Sequence, residues 1–402
     1  MKRTWLAAVG IAVAWCLARA LMVFDWYHNT SFITSDVAYY FSSLGNAGAS
    51  ALREYPTPIL WVLRLIQLAS GNDYVLFFNL FVSLMVALDA LVTAYLFWRA
   101  SVWAAVYWIV FLMLLGPMIW FRIDLIPAVA VTLGLAEAFR HPRFCGAMLA
   151  IGAATKLWPA LLMAPLLGRG KAAWRRLASF AITGGGLALA SLIANGWSRS
   201  VSPIVWQSQR GLQIESLSAT WLMIKHATTP DAVIVQMSPH NAFEVFGSTV
   251  GSWQTVATVL TVVAIILTLF LAALLFRVKT PQRSFAALLA ATAIIAAIIS
   301  ADKTFSPQYL IWLAGPLGLI LAWAKTRPQR RAGAITAGLG AVIAALTQVV
   351  FPQMYSGLLS NPTGQAGVTT VLVVRNTLMA LFTIWLMIWA FTTAWRAHES
   401  NQ

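Results

Sequence analysis

The chain has 402 residues, 60% of them hydrophobic and only 10% charged, with a formal charge of +15 and two cysteines. A charged fraction so far below a quarter excludes an ordinary soluble domain. The cysteines, Cys16 and Cys145, lie in apolar segments, which excludes a disulfide framework and a paired-cysteine metal motif. The basic excess does not mark a nucleic-acid binder, because it collects in short loops: Lys2/Arg3, Arg140/Arg143, Arg169/Lys171/Arg175/Arg176, Arg277/Lys279/Arg283 and Lys325/Arg327/Arg330/Arg331. Basic clusters at every second loop are the positive-inside pattern of a polytopic membrane protein. Contact with anionic lipid headgroups is a secondary effect of the same charges.

Apolar runs of about twenty residues recur along the sequence and match a bilayer core of roughly 30 Å. A single integral membrane domain over residues 1–402 is expected, all-α, with about ten full spans. Span one, residues 5–24, is read as retained rather than cleaved and runs outward from a cytoplasmic N-terminus. Residues 25–71 form a first outer segment in which Pro56 and Pro58 disfavour a continuous helix. Residues 59–70 are too short and too polar to span and read as an interfacial helix. Spans two to four cover residues 72–98, 101–118 and 125–139. Residues 144–168 have basic loops at both ends, so they read as two re-entrant half-helices broken near Ala154–Pro159, with Lys156 in the break. Span five, residues 177–194, carries Gly184-Gly185-Gly186 for close packing. The longest outer loop follows, residues 196–248. Spans six to ten cover residues 250–276, 284–300, 308–324, 333–351 and 369–395, with a Gly/Pro/Asn-rich loop at 352–367 and a cytoplasmic C-terminus.

On this topology Asp25, Asp36, Glu54, Asp73, Asp124, Glu215, Asp231, Glu244 and Asp302 fall on the outer side, while Asp89, Glu137 and Glu399 do not. Carboxylates contribute little to topology, so the skew points to a working outer face. Several groups there suit chemistry. Asp36, in the run Thr34-Ser35-Asp36-Val37-Ala38-Tyr39-Tyr40, is either a solvated loop carboxylate or a general base, with Asp25 as its rival. Arg122 with Asp124 is either a local ion pair or a phosphate- and hydroxyl-binding pair. Arg210 suits a phosphate, Gly211 a tight turn, and Gln213 and Glu215 a hydroxyl-rich ligand; a plain loop turn is the alternative. Lys303, near Gln308 and Tyr309, either snorkels or binds an anion. Lys156, Arg19 and Arg375 are intramembrane or span-end cations with a functional or a structural role. His28, His226 and His240 are outer-side but scattered, and no Gly-rich phosphate loop or Ser-His-Asp pattern occurs. An enzyme without a nucleotide-sugar domain must take its activated donor through lipid.

Ser35-Asp36-Val37 with Tyr39 resembles the first outer-loop aspartate motif of GT-C glycosyltransferases. Glu54-Tyr55-Pro56, Arg122-Ile123-Asp124-Leu125-Ile126-Pro127, Gly152-Ala153-Ala154-Thr155-Lys156-Leu157-Trp158-Pro159, Arg210-Gly211-Leu212-Gln213-Ile214-Glu215-Ser216 and Ser306-Pro307-Gln308-Tyr309-Leu310-Ile311-Trp312 resemble, in order, segments of glycosyltransferase family 87, the polyprenyl-phosphate-mannose-dependent α-1,2-mannosyltransferases that include phosphatidylinositol mannoside enzymes. The resemblance implies a GT-C fold in the plasma membrane with an extracytoplasmic active site. It implies transfer of mannose from a polyprenyl phosphate to a hydroxyl of a glycolipid or glycan, with inversion, and Asp36 as base. Arg122, Arg210 and Lys303 would hold the donor phosphate; Tyr39, Glu54, Asp124, Gln213, Glu215, Gln308 and Tyr309 would meet sugar or acceptor. Asp36 lacks the acidic neighbour common in the superfamily, which favours a metal-independent enzyme with no cofactor. The alternatives are a polyprenyl-phosphate-arabinose-dependent arabinofuranosyltransferase and, in a different class, a transporter of lipid or lipid-linked sugar.

Overall fold

The computed structural model describes residues 4–29, 31–46, 52–278 and 282–399; Lys2, Arg3 and Lys279 of the basic loops lie outside them. Seven of the described helices are long and apolar enough to cross a membrane. They are α1 (Trp5–Asn29), α4 (Tyr74–Tyr95), α8 (Lys171–Gln209), α10 (Val250–Phe276), α11 (Gln282–Ala301), α13 (Arg327–Gln348) and α15 (Ala366–Glu399). The helix starts follow local chemistry. Asp73 caps α4 by accepting from the Leu76 backbone N–H at 2.7 Å, and Thr326 and Gln329 form a reciprocal capping box on α13.

Three of the expected full spans are shorter: α5 (Val102–Leu115), α6 (Leu125–Ala136) and α12 (Ile311–Trp323). Twelve residues of α6 rise about 18 Å, well short of a hydrocarbon core of roughly 30 Å. Such helices survive because protein rather than lipid surrounds them: α12 packs on α5, α6, α11 and α13, and ten of its residues are buried. At one end all three give way to chain outside the α-helices. Pro117–Phe121 and Pro307–Leu310 form tight 3₁₀ turns there, and these turns leave room for the cavity described below.

The outer-segment expectation divides in two. α2 (Ser35–Asn46) places Asp36 on a helix and not on a loop. Its Val37, Tyr40 and Leu44 are buried, a spacing of three and four that makes one apolar face. α3 (Thr57–Ala69) begins at the Pro56/Pro58 break as expected and buries Thr57, Ile59, Leu60 and Leu63. The broken pair is also present: α7 (Pro142–Thr155) ends where Lys156 turns extended, and Trp158–Leu166 continues as a 3₁₀ helix.

α8 runs on past its expected end, bending at Gly196 (φ +72°) and reaching Gln209. Of the three consecutive glycines, only a Cβ on Gly184 would touch a neighbour, Ala150, at 3.6 Å. The close approach of α7 to α8 is made instead by Gly146, where a Cβ would collide with the Arg176 carbonyl. The rest of residues 196–248 is not a plain loop, and the chain is not wholly helical. It holds α9 (Thr220–Thr228) and a three-stranded antiparallel sheet of β1 (Leu212–Gln213), β2 (Ile234–Met237) and β3 (Phe243–Phe246) in the order β1-β3-β2. Val235 faces Val245, and Gln236 faces Glu244. β-Branched and aromatic residues on both sides of a Ser238–Asn241 turn favour that hairpin. Short α14 (Tyr355–Leu358) lies before α15.

Inside the bundle Arg19 of α1 meets Asp89 of α4 in a two-pronged ion pair, Nε–Oδ2 at 2.6 Å and Nη2–Oδ1 at 2.7 Å. Trp108 Nε1 donates to Asp89 at 2.8 Å, and Arg19 Nη1 donates to the Ile109 carbonyl at 3.0 Å. Arg19 therefore joins three helices and is structural. Removing one partner leaves an uncompensated buried charge. Asp89→Ala should cost about 3–5 kcal/mol, seen as loss of folded protein on detergent size-exclusion chromatography. The double variant Arg19→Met/Asp89→Leu should recover most of the loss. A double variant as damaged as the single would contradict the ion-pair account.

Candidate functional site

A cavity of about 640 Å³ opens at the end of the bundle where α5, α6 and α12 are cut short. Its walls come from α2, the 52–55 turn, Arg122, the helix break at Lys156, the end of α8, β1, the β2–β3 turn, the 306–309 turn and residues 351–359. Asp36 stands in the first turn of α2, where the helix dipole favours a carboxylate. Tyr39, three residues on, shares that face, and both line the cavity. The apolar face of α2 thus fixes the polar one.

Asp36 is ion-paired with Arg122. This corrects the expectation that Arg122 pairs with Asp124. Arg122 is extended, between the 117–121 turn and α6, so its side chain crosses to α2. Burial pulls its guanidinium down to about 10, opposed by Asp124, Tyr355 and Glu215, so it is still a cation at neutral pH. Asp124 faces away from it: Oδ1 accepts from Lys156 Nζ at 2.8 Å and from Trp312 Nε1 at 3.0 Å. Lys156 does not cap free carbonyls at the break; it pairs with Asp124 and lies 4.1 Å above the Tyr309 ring. Tyr309, Trp312 and Trp158 stack in sequence, with centroids 4.4 and 4.5 Å apart.

Glu54 accepts from the Tyr39 hydroxyl at 2.7 Å. Burial raises the Glu54 carboxyl, against that bond and against Arg210 and Arg199. Burial, then the Glu54 charge, raises the Tyr39 hydroxyl, which therefore stays a donor. The turn carrying Glu54 is held from α8, since Arg199 Nη2 donates to the carbonyls of Leu52 and Tyr55, each at 3.1 Å. Arg210 approaches Glu244 of β3 at 3.6 Å. Gly211 is needed for this packing and not for a left-handed turn, because a Cβ there would strike the Glu244 carboxylate. Gln213 accepts from the Ser306 hydroxyl at 3.0 Å.

Of the eleven residues that the family resemblance assigns to base, phosphate, sugar or acceptor, Asp36, Tyr39, Glu54, Arg122, Arg210, Gln213, Glu215, Gln308 and Tyr309 line this one cavity, and Lys156 lines it with them. Two do not. Asp124 lies behind the wall, and Lys303 spends its ammonium on the carbonyls of Ser208 (3.1 Å) and Arg210 (2.6 Å). Asp25 is tied elsewhere, accepting from Gln348 Nε2 at 2.8 Å. Sequence reasoning missed Phe32, Met237, Phe243, Phe351, Tyr355 and Leu359, which give the cavity its apolar part. It also passed over His240, which lines the cavity edge-on to Trp206 at 4.9 Å. The only signal for Phe32, Phe243 and Tyr355 was an aromatic residue inside an otherwise polar loop, while Met237, Phe351 and Leu359 carried none. His226 is buried on the Val233 carbonyl, and His28 bonds its own helix. Among the described residues, no three His, Cys, Asp or Glu side chains come together as a metal cluster.

These features define a class: an all-helical membrane-embedded core, a small sheet beside it, and a cavity lined by charged, polar and apolar side chains. No protein-family model matches the sequence, and no curated protein matches it.

Glu215 offers a test of the site's electrostatics. It is fully buried and bonds Arg375 Nη2 at 3.1 Å. Burial pushes its carboxyl up to about 7, with Arg375 and Arg122 opposing. Because the folded value lies above the unfolded one, the folded chain keeps a proton that the unfolded chain has released. Glu215 then contributes stability that is complete below the ordinary value of 4.5 and is lost as pH rises through about 7. Thermal midpoints of detergent-solubilised protein should fall from pH 5 to pH 8 more steeply in wild type than in Glu215→Gln. Parallel pH profiles for the two proteins would contradict this.

Proposed function

We propose that this chain is a GT-C glycosyltransferase of the family 87 type, moving mannose from a polyprenyl phosphate to a hydroxyl of a glycolipid or glycan. The observation that supports it most is the convergence on one cavity of Asp36, the cations Arg122, Arg210 and Lys156, and an apolar flank of Phe32, Met237, Phe243, Phe351 and Leu359. A lipid-linked sugar donor has those three parts: a reacting carbon, a phosphate and an apolar chain.

In this reading the acceptor hydroxyl oxygen attacks the sugar's anomeric carbon and its proton passes to the Asp36 carboxylate. The bond from that carbon to the phosphate oxygen breaks, and polyprenyl phosphate leaves with the electron pair. Attack and departure on opposite faces invert the configuration. Arg122 and Arg210 offset the charge that grows on the phosphate. Lys156 takes the place expected of Lys303. Tyr39, Glu54, Gln213, Gln308 and Tyr309 supply donors, acceptors and a ring face for sugar and acceptor, while Glu215, expected to join them, is buried in the wall and held by Arg375. The neighbour of Asp36 is an arginine and not a second carboxylate, a donor set that suits electrostatic stabilisation by side chains without a metal cofactor. In this reading the termini are cytoplasmic and the cavity opens on the outer side of the plasma membrane, which the positive-inside pattern of the basic loops supports.

General base catalysis is worth about 10²–10⁴ in rate. Asp36→Asn should therefore lower transfer from radiolabelled polyprenyl-phosphate mannose to a cell-envelope glycolipid extract by at least about a hundredfold, with unchanged expression and chromatographic profile. Undiminished transfer would remove Asp36 as the base. Activity with polyprenyl-phosphate arabinose alone would change the sugar. Movement of labelled lipid across proteoliposomes without any transfer by wild type would favour the transporter.

A further inference from the structure

A second recess, of about 650 Å³, lies where α4, α6, α7 and α8 meet. α6 begins beside the first cavity and ends here, so the two recesses are at opposite ends of the bundle, about 18 Å apart along that helix. Its floor is Glu137, which is buried. Tyr95 donates to Glu137 Oε1 at 2.5 Å, and Arg99 donates to the same oxygen at 3.2 Å. His141 Nε2 is 3.7 Å from Oε2. Around this floor stand Arg140, Arg143 and Arg175, all exposed. Arg140 Nη1 reaches the Arg99 carbonyl at 3.4 Å. Among the described residues none of these three is within ion-pair distance of a carboxylate. Four arginines against one glutamate leave the recess strongly positive, and three guanidiniums can turn N–H donors to an anion.

The aromatic neighbours indicate which anion. Trp98 precedes Arg99, Phe144 follows Arg143 and Trp174 precedes Arg175. All three rings are exposed, Trp98 and Trp174 by more than half. Tryptophan at the surface of a membrane helix sits at the headgroup level, and basic recesses between membrane helices at that level bind phosphate-bearing headgroups. Phe144 lines the recess itself, while Trp98 and Trp174 flank residues that do; a soluble anion would have no use for such neighbours.

We propose that this recess is a binding site for the phosphate of an anionic phospholipid headgroup, held by Arg140, Arg143 and Arg175 over the Glu137–Arg99–Tyr95 floor. The arginines offer paired N–H donors to phosphate oxygens, and the floor holds Arg99 in place. The site uses none of the residues assigned to transfer, so it stands whether or not that assignment does.

The test is native mass spectrometry of the full chain in detergent, titrated with dioleoylphosphatidylglycerol, dioleoylphosphatidylcholine and inorganic phosphate. Wild type should retain phosphatidylglycerol in preference to phosphatidylcholine, and millimolar inorganic phosphate should not displace it. The triple variant Arg140→Ala/Arg143→Ala/Arg175→Ala should bind phosphatidylglycerol about a hundredfold more weakly. A control that removes the same charge elsewhere, Lys325→Ala/Arg327→Ala/Arg331→Ala, should bind as wild type does. Equal loss in both triple variants would reduce the effect to general surface charge and overturn the site. Displacement by inorganic phosphate would assign the recess to a soluble anion and overturn the lipid. Circular dichroism of both variants shows whether a loss reflects unfolding; if the triple variant unfolds, Arg143→Gln/Arg175→Gln replaces it, with the same preference for phosphatidylglycerol expected to weaken.

Discussion

The Asp124 carboxylate carries more of this architecture than its size suggests. One oxygen accepts from Lys156 at the break after α7 and from Trp312 on α12, while its own residue starts α6. Three elements that end short of the full bundle depth are thereby locked together below the cavity. In hydrocarbon an unpaired charge is expensive, so the helix break and the polar chain around it persist only because Asp124 and Lys156 satisfy each other. The break in turn sets Trp158 against Trp312 and Tyr309, a stacked wall that ends in the cavity.

The same logic recurs through the molecule. Arg19 answers Asp89 in the apolar core, Arg375 answers Glu215 at the sheet, and Arg122 answers Asp36 at the cavity wall. The first two pairs are sealed, with side chains at or near zero exposure. The Asp36–Arg122 pair keeps partial access, at 19% and 10%. That difference separates pairs that hold helices together from a pair placed where a ligand reaches it. The apolar flank beside it allows one ligand to be charged at one end and greasy at the other.

Much of this architecture is legible in the amino-acid sequence. Long apolar runs mark the seven long helices, and Lys156-Leu157-Trp158-Pro159 between two basic loops marks the broken one. The outer clustering of carboxylates anticipates that Asp36, Glu54 and Glu215 share a cavity. Pairing is not legible. Asp89 meets Arg19 across 70 positions, and choosing Asp36 over Asp124 for Arg122 needs the extended backbone at Arg122 that aims it across the bundle. The helix under Asp36 is written in Val37, Tyr40 and Leu44, but a short amphipathic turn beside a polar run reads equally well as loop. The β2–β3 hairpin is hidden by its neighbours, since four-residue strands inside a polar stretch give little periodic signal. Lys303 shows the limit of residue-type reasoning: a cation in the right turn is consumed by two carbonyls of the next one.

We propose that the cavity holds a lipid-linked sugar by its phosphate, with the reacting carbon beside Asp36. A cryo-electron microscopy structure of the full chain with a polyprenyl phosphate tests it most directly. Density for the phosphate is expected within hydrogen-bond reach of Arg122 and Arg210, with the prenyl chain leaving past Phe32 and Phe351. A polyprenyl phosphate bound elsewhere on the bundle, with the Asp36 cavity empty at saturating ligand, would contradict it.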